Sequence, residues 1–544
     1  MRTSDHAAVR FDPVGVRALL CELDQPCFVV RQEGRIGVVA EHPGAGSGTR
    51  VLAAASPVST RALGAPRFLA RHGVRQPYMA GSMAGGISSE ELVVALARSG
   101  HLASFGAAGL SAGRVEQALR RLRRELPDLP WACNLIHDPA DPASERRTVD
   151  LCLHHQVACV EASAFLQPTA ELVRYRAAGL RGAPDGTVHT GNRVIAKVSQ
   201  PSTAEFFLRP PPAELLAELA HQGRITAEQA ELAAWVALAD DLTVEADSAG
   251  HTDRRPLVTQ LPLIIALRDR EAAAGRPGGV VGVGAAGGIG TPQAAFGAFA
   301  MGADYIVTGS VNQGCVEAGT SPAVKAMLAE AGPGDYAMAP AADMFEMGVD
   351  VQVLKRGTLF PGRAAWLYRL YREHASLEDL PASDLERLEE QILRRPVGHA
   401  WSDVAAYLAQ HRPEQAALAA HTPKLRMALL FRWYLGLSSR WATQGAPDRG
   451  GDYQIWCGPA MSAFNAWARG SLWQGPDHRH APDIARALLS GAAYHSRLAQ
   501  LRFAGVGLPS LCGTYPAPGA VPAAGASPQP QGTALPSLVS LVTS

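Results

Sequence analysis

The 544-residue chain has no surplus of either charge: 50 Lys and Arg stand against 50 Asp and Glu. That balance removes the electrostatic case for nucleic acid or an anionic membrane surface as the main partner. No run of about 18 uninterrupted apolar residues occurs, so no membrane-spanning helix is expected. The N-terminus, MRTSDHAAVRFDP, lacks an apolar core of signal-peptide length. The eight cysteines include no C-x-x-C pair, which argues against a zinc site or a disulfide framework, and no metal is expected. Cys133, Cys152, Cys159 and Cys315 fall in or near predicted elements and read as small buried hydrophobes. No repeat of solenoid period is found. The expected setting is soluble, reducing and cytoplasmic.

What is present centres on Val280–Ser310, VVGVGAAGGIGTPQAAFGAFAMGADYIVTGS. Two short β-branched runs flank a small-residue helix, a βαβ unit, and both runs close on glycine-rich loops at Gly287-Gly288 and Gly309-Ser310. Paired loops of this kind, at the C-terminal ends of adjacent parallel strands, are how a β/α barrel grips a phosphate after its last two strands. The same stretch contains Gly282-x-Gly284-x-x-Gly287, with Asp304 roughly where a ribose-binding acid would follow. That dinucleotide fingerprint belongs in the first βα turn of an open sheet, whereas several strand-like runs precede it here.

Taken in order, residues 1–60 carry a β-hairpin, with Cys27–Val30 and Ile36–Val39 around a Glu33-Gly34 turn. From Pro77 strand and helix patterns alternate. Strand candidates are Tyr78–Gly81, Leu102–Phe105, Trp131–Leu135, Ala158–Glu161, Arg193–Val198, Leu242–Ala246, Val280–Ala285 and Tyr305–Thr308. Eight such strands suit an α/β fold of the (β/α)8 TIM-barrel type, here over residues 61–335. A helical insert at about 206–240 separates strands five and six, with a Thr226-x-x-Gln229 capping box opening its second helix. A helical pair on the catalytic face would serve as a substrate lid; otherwise the insert is structural. Residues 336–510 form a mostly helical C-terminal region for substrate or partner, with Asp384–Leu393 and Pro423–Leu435 its clearest segments. The Pro/Ala-rich tail, 511–544, is expected to be disordered.

Function in a barrel sits at the C-terminal ends of the strands. Strand one ends in Met79-Ala80-Gly81, a small-residue turn that would let a flat ring approach the backbone. Strand three ends at Asn134 and strand five carries Lys197. With the two glycine loops, this set suits flavin mononucleotide (FMN), Lys197 stabilising the reduced ring near its N1–C2 edge. His251, after Gly250 in the loop following strand six, is the candidate acid. Blander readings stand beside each: an ordinary strand-end lysine, a turn-forming asparagine, simple βα turns, a hydrogen-bonded loop histidine. Lys355, Arg356, Arg363, Arg369 and Arg372 form a basic cluster. It is either a solvated face or a surface for an acidic carrier protein or a nicotinamide phosphate.

The stretches MAGSMAGGISSEELVVA (79–95), NLIHDP (134–139), VEASAF (160–165), VIAKVSQ (194–200), EADSAGHTDRRP (245–256), GAAGGIGTPQAAFGAFAMGADYIVTGSVNQ (284–313), MAPAADMFEMGVDVQVLKRGT (338–358), FRWYLG (431–436) and DYQIWCGPAMSAFN (452–465) together resemble the PfaD-type enoyl reductases. These act in trans with polyketide and polyunsaturated fatty acid synthases. The barrel is more distantly similar to flavin-dependent enoyl-carrier-protein reductases and nitronate monooxygenases. The resemblance implies a flavoprotein that uses NADPH to reduce the double bond of an enoyl thioester held on an acyl carrier protein. By position it assigns FMN contacts to Met79, Ala80, Gly81, Asn134, Lys197, Gly287, Gly288, Gly309 and Ser310, and the active-site histidine to His251. The family usually reads Ser-Gly-Gly-His where this chain has Ser248-Ala249-Gly250-His251. If the middle position needs a positive φ, Ala249 is strained there.

Three functions follow as expectations: an FMN-dependent enoyl reductase; an oxygen-using nitronate monooxygenase; a non-catalytic docking component of a synthase. A homodimer is compatible with each.

Overall fold

Glu33 and Gly34 both take positive φ, 51° and 76°, the turn geometry that matches the natural twist of a two-stranded hairpin. They join β1 (Cys27–Gln32) to β2 (Arg35–Val39), and β3 (Arg50–Ala55) completes an antiparallel sheet in the order β2-β1-β3. The computed structural model describes residues 8–44, 48–138, 141–273, 279–520 and 540–541. The apolar face of this sheet is covered by the long helix Ala481–Phe503, through Tyr494, Leu498 and Leu501. From the same helix the buried Arg497 donates to the carbonyls of Leu20, Glu22, Leu23 and Gln25.

The expected barrel is present. Its strands are β4 (Tyr78–Ala80), β5 (Leu102–Phe105), β6 (Ala132–Ile136) and β7 (Cys159–Ser163). After a small hairpin, β8 (Leu180–Gly182) and β9 (Val188–Thr190), come β10 (Arg193–Val198) and β11 (Asp241–Glu245). A two-residue strand outside the barrel, β12 (Gly250–His251), precedes β13 (Gly282–Ala286) and β14 (Ile306–Thr308). The eight barrel strands are parallel and close in the order β10-β11-β13-β14-β4-β5-β6-β7. Each is short and buried on both faces, as a sheet wrapped by helices requires.

The helical insert forms at Ala213–His221 and Ala227–Ala233, with the Thr226–Gln229 capping box made in both directions. It is not a lid. Helix Pro201–Leu208 already carries the chain down the outside of the barrel, so the insert lies on the return path. There Arg224 meets Glu171 at 2.6 Å, and Gln229 reaches the carbonyl of Ala178 at the end of helix Ala170–Ala178. The pair thickens the outer wall.

What does reach the catalytic face comes from farther along. β15 (Tyr336–Pro340) and β16 (Asp350–Leu354) form a hairpin, and β12 adds to it by pairing His251 with Val351. Helices Phe360–Glu373, Val397–His411, Pro413–His421 and Pro423–Gln444 then build a second core around Phe345, Phe360, Leu367 and Phe431. Within the expected tail, Cys512 is buried and the carbonyl of Tyr515 accepts from the Trp467 indole at 2.8 Å. Residues 521–539 and 542–544 lie outside the described residues. Among the described residues no helix is long and apolar enough to cross a membrane, and no group of His, Cys, Asp and Glu could hold a metal ion.

Candidate active site

The barrel order puts the three stretches expected to hold a nucleotide on three consecutive strands, β13, β14 and β4. Ala286 pairs with Val307, so Gly287 and Gly288 leave the barrel beside Thr308 and Gly309. Val307 pairs in turn with Met79, and Gly81 N donates to the Thr308 carbonyl at 3.0 Å. Gly287 holds φ 91°, and a Cβ there would lie 2.7 Å from the Ala246 backbone, so only glycine fits. Gly288 and Gly309 are different: a Cβ on either would meet nothing within 4 Å. Their backbones border open space at the mouth, the shape of a cradle for a phosphate. Ser310 begins the short turn of helix Ser310–Gln313 directly after it.

The rest of the ring supplies polar side chains. Asn134 on β6 is buried and donates to the Glu161 carbonyl at 3.2 Å and to Ser163 Oγ at 3.1 Å. Glu161 on β7 is fully buried, and its Oε2 accepts from Ser82 N at 2.7 Å. Since β7 and β4 are separated by β5 and β6, that bond crosses the barrel interior. Lys197 on β10 lies 2.9 Å from Glu245 at the end of β11. Burial works against charge on Lys197, but Glu245 and Glu161 outweigh it and its pKa is raised.

His251 points its Nε2 at Asp343 Oδ1, 3.2 Å away in the β15–β16 loop. Partial burial disfavours the imidazolium; the Asp343 bond and charge outweigh it and raise the histidine pKa. The side chain is still 44% exposed, which leaves it open to a substrate. Gly250 has a positive φ in this loop, 77°, as does Arg254 farther on, and the Trp456 ring lies 3.4 Å from where the Gly250 Cβ would be. Ala249 is not among the residues of positive φ, so the expected strain is absent. Gln352 fastens the loop from above, donating to Asp247 Oδ1 at 3.1 Å and to the Ser248 carbonyl at 2.8 Å.

The dinucleotide fingerprint is a packing feature. A Cβ on Gly284 would lie 2.4 Å from the Tyr305 ring, which fills the barrel. Asp304 receives Arg67 at 2.6 Å and Val283 N at 2.7 Å, with no free edge for a ribose. The basic cluster does not converge either: Arg363 binds the buried Asp452, Arg356 meets Asp335, and Arg369 meets Glu373.

Three residues escape the sequence reading: Glu161, Glu245 and Asp343. Glu161 has a visible signal, an acid inside an apolar strand two residues from Cys159 and Ser163, all on one face. Glu245 ends its strand as Lys197 nearly does. Asp343 has no such signal, since only the pairing of β12 with β16 brings it to the mouth.

Residues 67–365 match the nitronate monooxygenase family, residues 4–57 the N-terminal domain of the fatty acid synthase component PfaD, and residues 374–453 the inserted helical domain of [acyl-carrier-protein] S-malonyltransferase. A polyunsaturated fatty acid synthase component of Thraustochytrium sp. is 46% identical over 490 residues, 89% of this chain and 32% of that one. Polyketide biosynthesis protein PksE of Bacillus subtilis is 43% identical, over 81% of this chain and 58% of its own length. This chain therefore spans between about a third and somewhat over half of these curated relatives. The crystal structure of the enoyl reductase domain of MlnA, from the macrolactin biosynthesis cluster of Bacillus amyloliquefaciens, superimposes with a TM-score of 0.77 at 37% identity. It is covered completely, by 81% of this chain.

Proposed function

The chain belongs to the nitronate monooxygenase family of barrels, in its PfaD-type branch, and from that premise we propose that it is an FMN-dependent, NADPH-using enoyl reductase. Its substrate is an α,β-unsaturated acyl thioester carried by an acyl carrier protein of a polyketide or polyunsaturated fatty acid synthase. The observation that carries this reading is the contiguous arc of Gly287-Gly288, Gly309-Ser310 and Met79–Gly81 on neighbouring strands, with Lys197 across the mouth. The relatives named as synthase components support the carrier-bound substrate.

FMN bound there would supply two-electron chemistry, taking a hydride from NADPH and giving one to the β-carbon of the enoyl group. The protein's share is binding, charge and a proton. Backbone N–H groups around Gly288, Gly309 and Ser310 would hold the phosphate, and the Met79–Gly81 turn would support the ring. Lys197 would set a positive charge beside it. His251, whose imidazolium form Asp343 favours, would hold the proton destined for the α-carbon. The β12-β16-β15 sheet and the Trp456 ring against Gly250 hold the loop after β11 in place while leaving His251 accessible.

The test is turnover of a carrier-bound enoyl thioester by protein loaded with FMN. The expected result is stoichiometric NADPH oxidation and a saturated product, lost in Lys197→Ala and strongly slowed in His251→Ala. Rapid oxygen consumption with alkyl nitronates and no thioester turnover would replace this reading with the monooxygenase one.

A further inference from the structure

Inside the mouth one acid is left without an obvious counterpart. Glu161 Oε2 takes the Ser82 N–H, but Glu161 Oε1 is buried and has no hydrogen-bond partner. It lies 3.5 Å from where a Cβ on Gly81 would be, directly under the turn expected to carry the ring. On the neighbouring strand Ile195 pairs with Glu161, and Lys197 follows two residues on, facing the same interior. Lys197 in turn pairs with Glu245. At the mouth end of β7, β10 and β11 the interior thus carries two carboxylates and one ammonium, while Asp241 at the other end of β11 is paired with Arg71 and His72. A buried carboxylate oxygen without a donor is costly, and where it persists it calls for an explanation. Pinning the Ser82 turn is no full explanation, because a neutral amide oxygen would also accept that N–H, and it leaves Oε1 without a partner.

Resting on the FMN reading above, we propose that Glu161 is a positioning residue for charge: it offsets Lys197 beneath the flavin site and so makes the reduced cofactor a stronger hydride donor. A cation beside the ring favours the electron-rich reduced form, and a fixed anion below it disfavours that form. With Glu245 and Glu161 both present, the balance falls on the negative side. Reduction by NADPH becomes less favourable, and delivery of hydride to the enoyl carbon more so. The contribution of Glu161 to the raised Lys197 pKa is the same interaction seen from the lysine.

The test compares wild type, Glu161→Gln and Glu161→Asp, each loaded with FMN, by spectroelectrochemical titration of the bound flavin. Gln keeps the acceptor for Ser82 N and removes the charge. Its midpoint should move positive, with the oxidised-to-reduced equilibrium displaced about tenfold or more toward reduced. Its unfolding midpoint should not fall, since the substitution removes a buried charge, and Asp, which keeps the charge, should stay near the wild-type potential. A Gln variant that binds FMN at the wild-type potential overturns this inference and leaves the proposed function standing. Wild-type protein that takes up no FMN removes both. If Glu161→Gln does not fold, Glu161→Met is measured the same way, with the same positive shift expected and an unchanged potential contradicting it.

Discussion

Gly309 and Gly287 lie at the ends of adjacent strands, yet substitutions at the two should fail in opposite ways. Gly309 has φ −123°, outside the left-handed region, and a Cβ there meets nothing within 4 Å. Gly309→Leu should therefore cost about 1 kcal/mol of stability or less. Its side chain would occupy the space where the phosphate is expected. Losing two charge-assisted N–H bonds at about 1.5–3 kcal/mol each should weaken FMN binding by about a hundredfold or more. Gly287→Ala meets φ 91° and backbone atoms of Ala246 and Asp247 within 2.9 Å. Left-handed strain and forced displacement together should cost about 2–5 kcal/mol. Urea denaturation of the apoprotein and fluorescence titration with FMN separate the two effects. Wild-type FMN affinity in Gly309→Leu would refute the cradle, whatever Gly287→Ala does.

Other outcomes follow from the same geometry. His251 has a raised folded pKa and Asp343 a lowered one, so their mutual stabilisation lies between the two values. It is fully present below the unfolded histidine pKa, is lost as pH rises through the folded His251 value, and is lost at the acid end as Asp343 protonates. The difference in Tm between wild type and Asp343→Asn should shrink from about pH 6 toward about pH 9, and a difference that grows would contradict the pair. Arg497→Met strips the donor from four carbonyls of the N-terminal segment and should cost at least about 3 kcal/mol in urea denaturation. A Cβ on Gly290 would lie 2.0 Å from the Ala460 carbonyl oxygen, so Gly290→Val should unseat the 456–461 segment and cost about 2–4 kcal/mol. Unchanged resistance of that variant to limited proteolysis would show the seam to be softer than the packing implies.

The barrel was legible because its strands are short apolar runs bounded by turn residues, a pattern that survives without tertiary information. β13 and β14 were readable to within two residues, and their glycine loops with them. What failed to show were contacts made over long separations. Asp343 reaches His251 across 92 residues, and no local pattern announces it. The sequence leaves the insert open between a lid and a structural element, and the packing against helix Ala170–Ala178, made over long separations, decides for the second. Ala249 looked strained because a triplet does not reveal which of its members takes the positive φ; here that is Gly250. Glu161 was written in the chain, and its register with Lys197 needed only the assumption of a closed barrel.

The central claim is that one flavin nucleotide lies across this mouth, and the absorbance spectrum of the purified chain after incubation with FMN and gel filtration tests it most directly. One equivalent of flavin should co-elute, and its visible bands should bleach on anaerobic addition of NADPH. A colourless protein that retains no FMN would contradict the account.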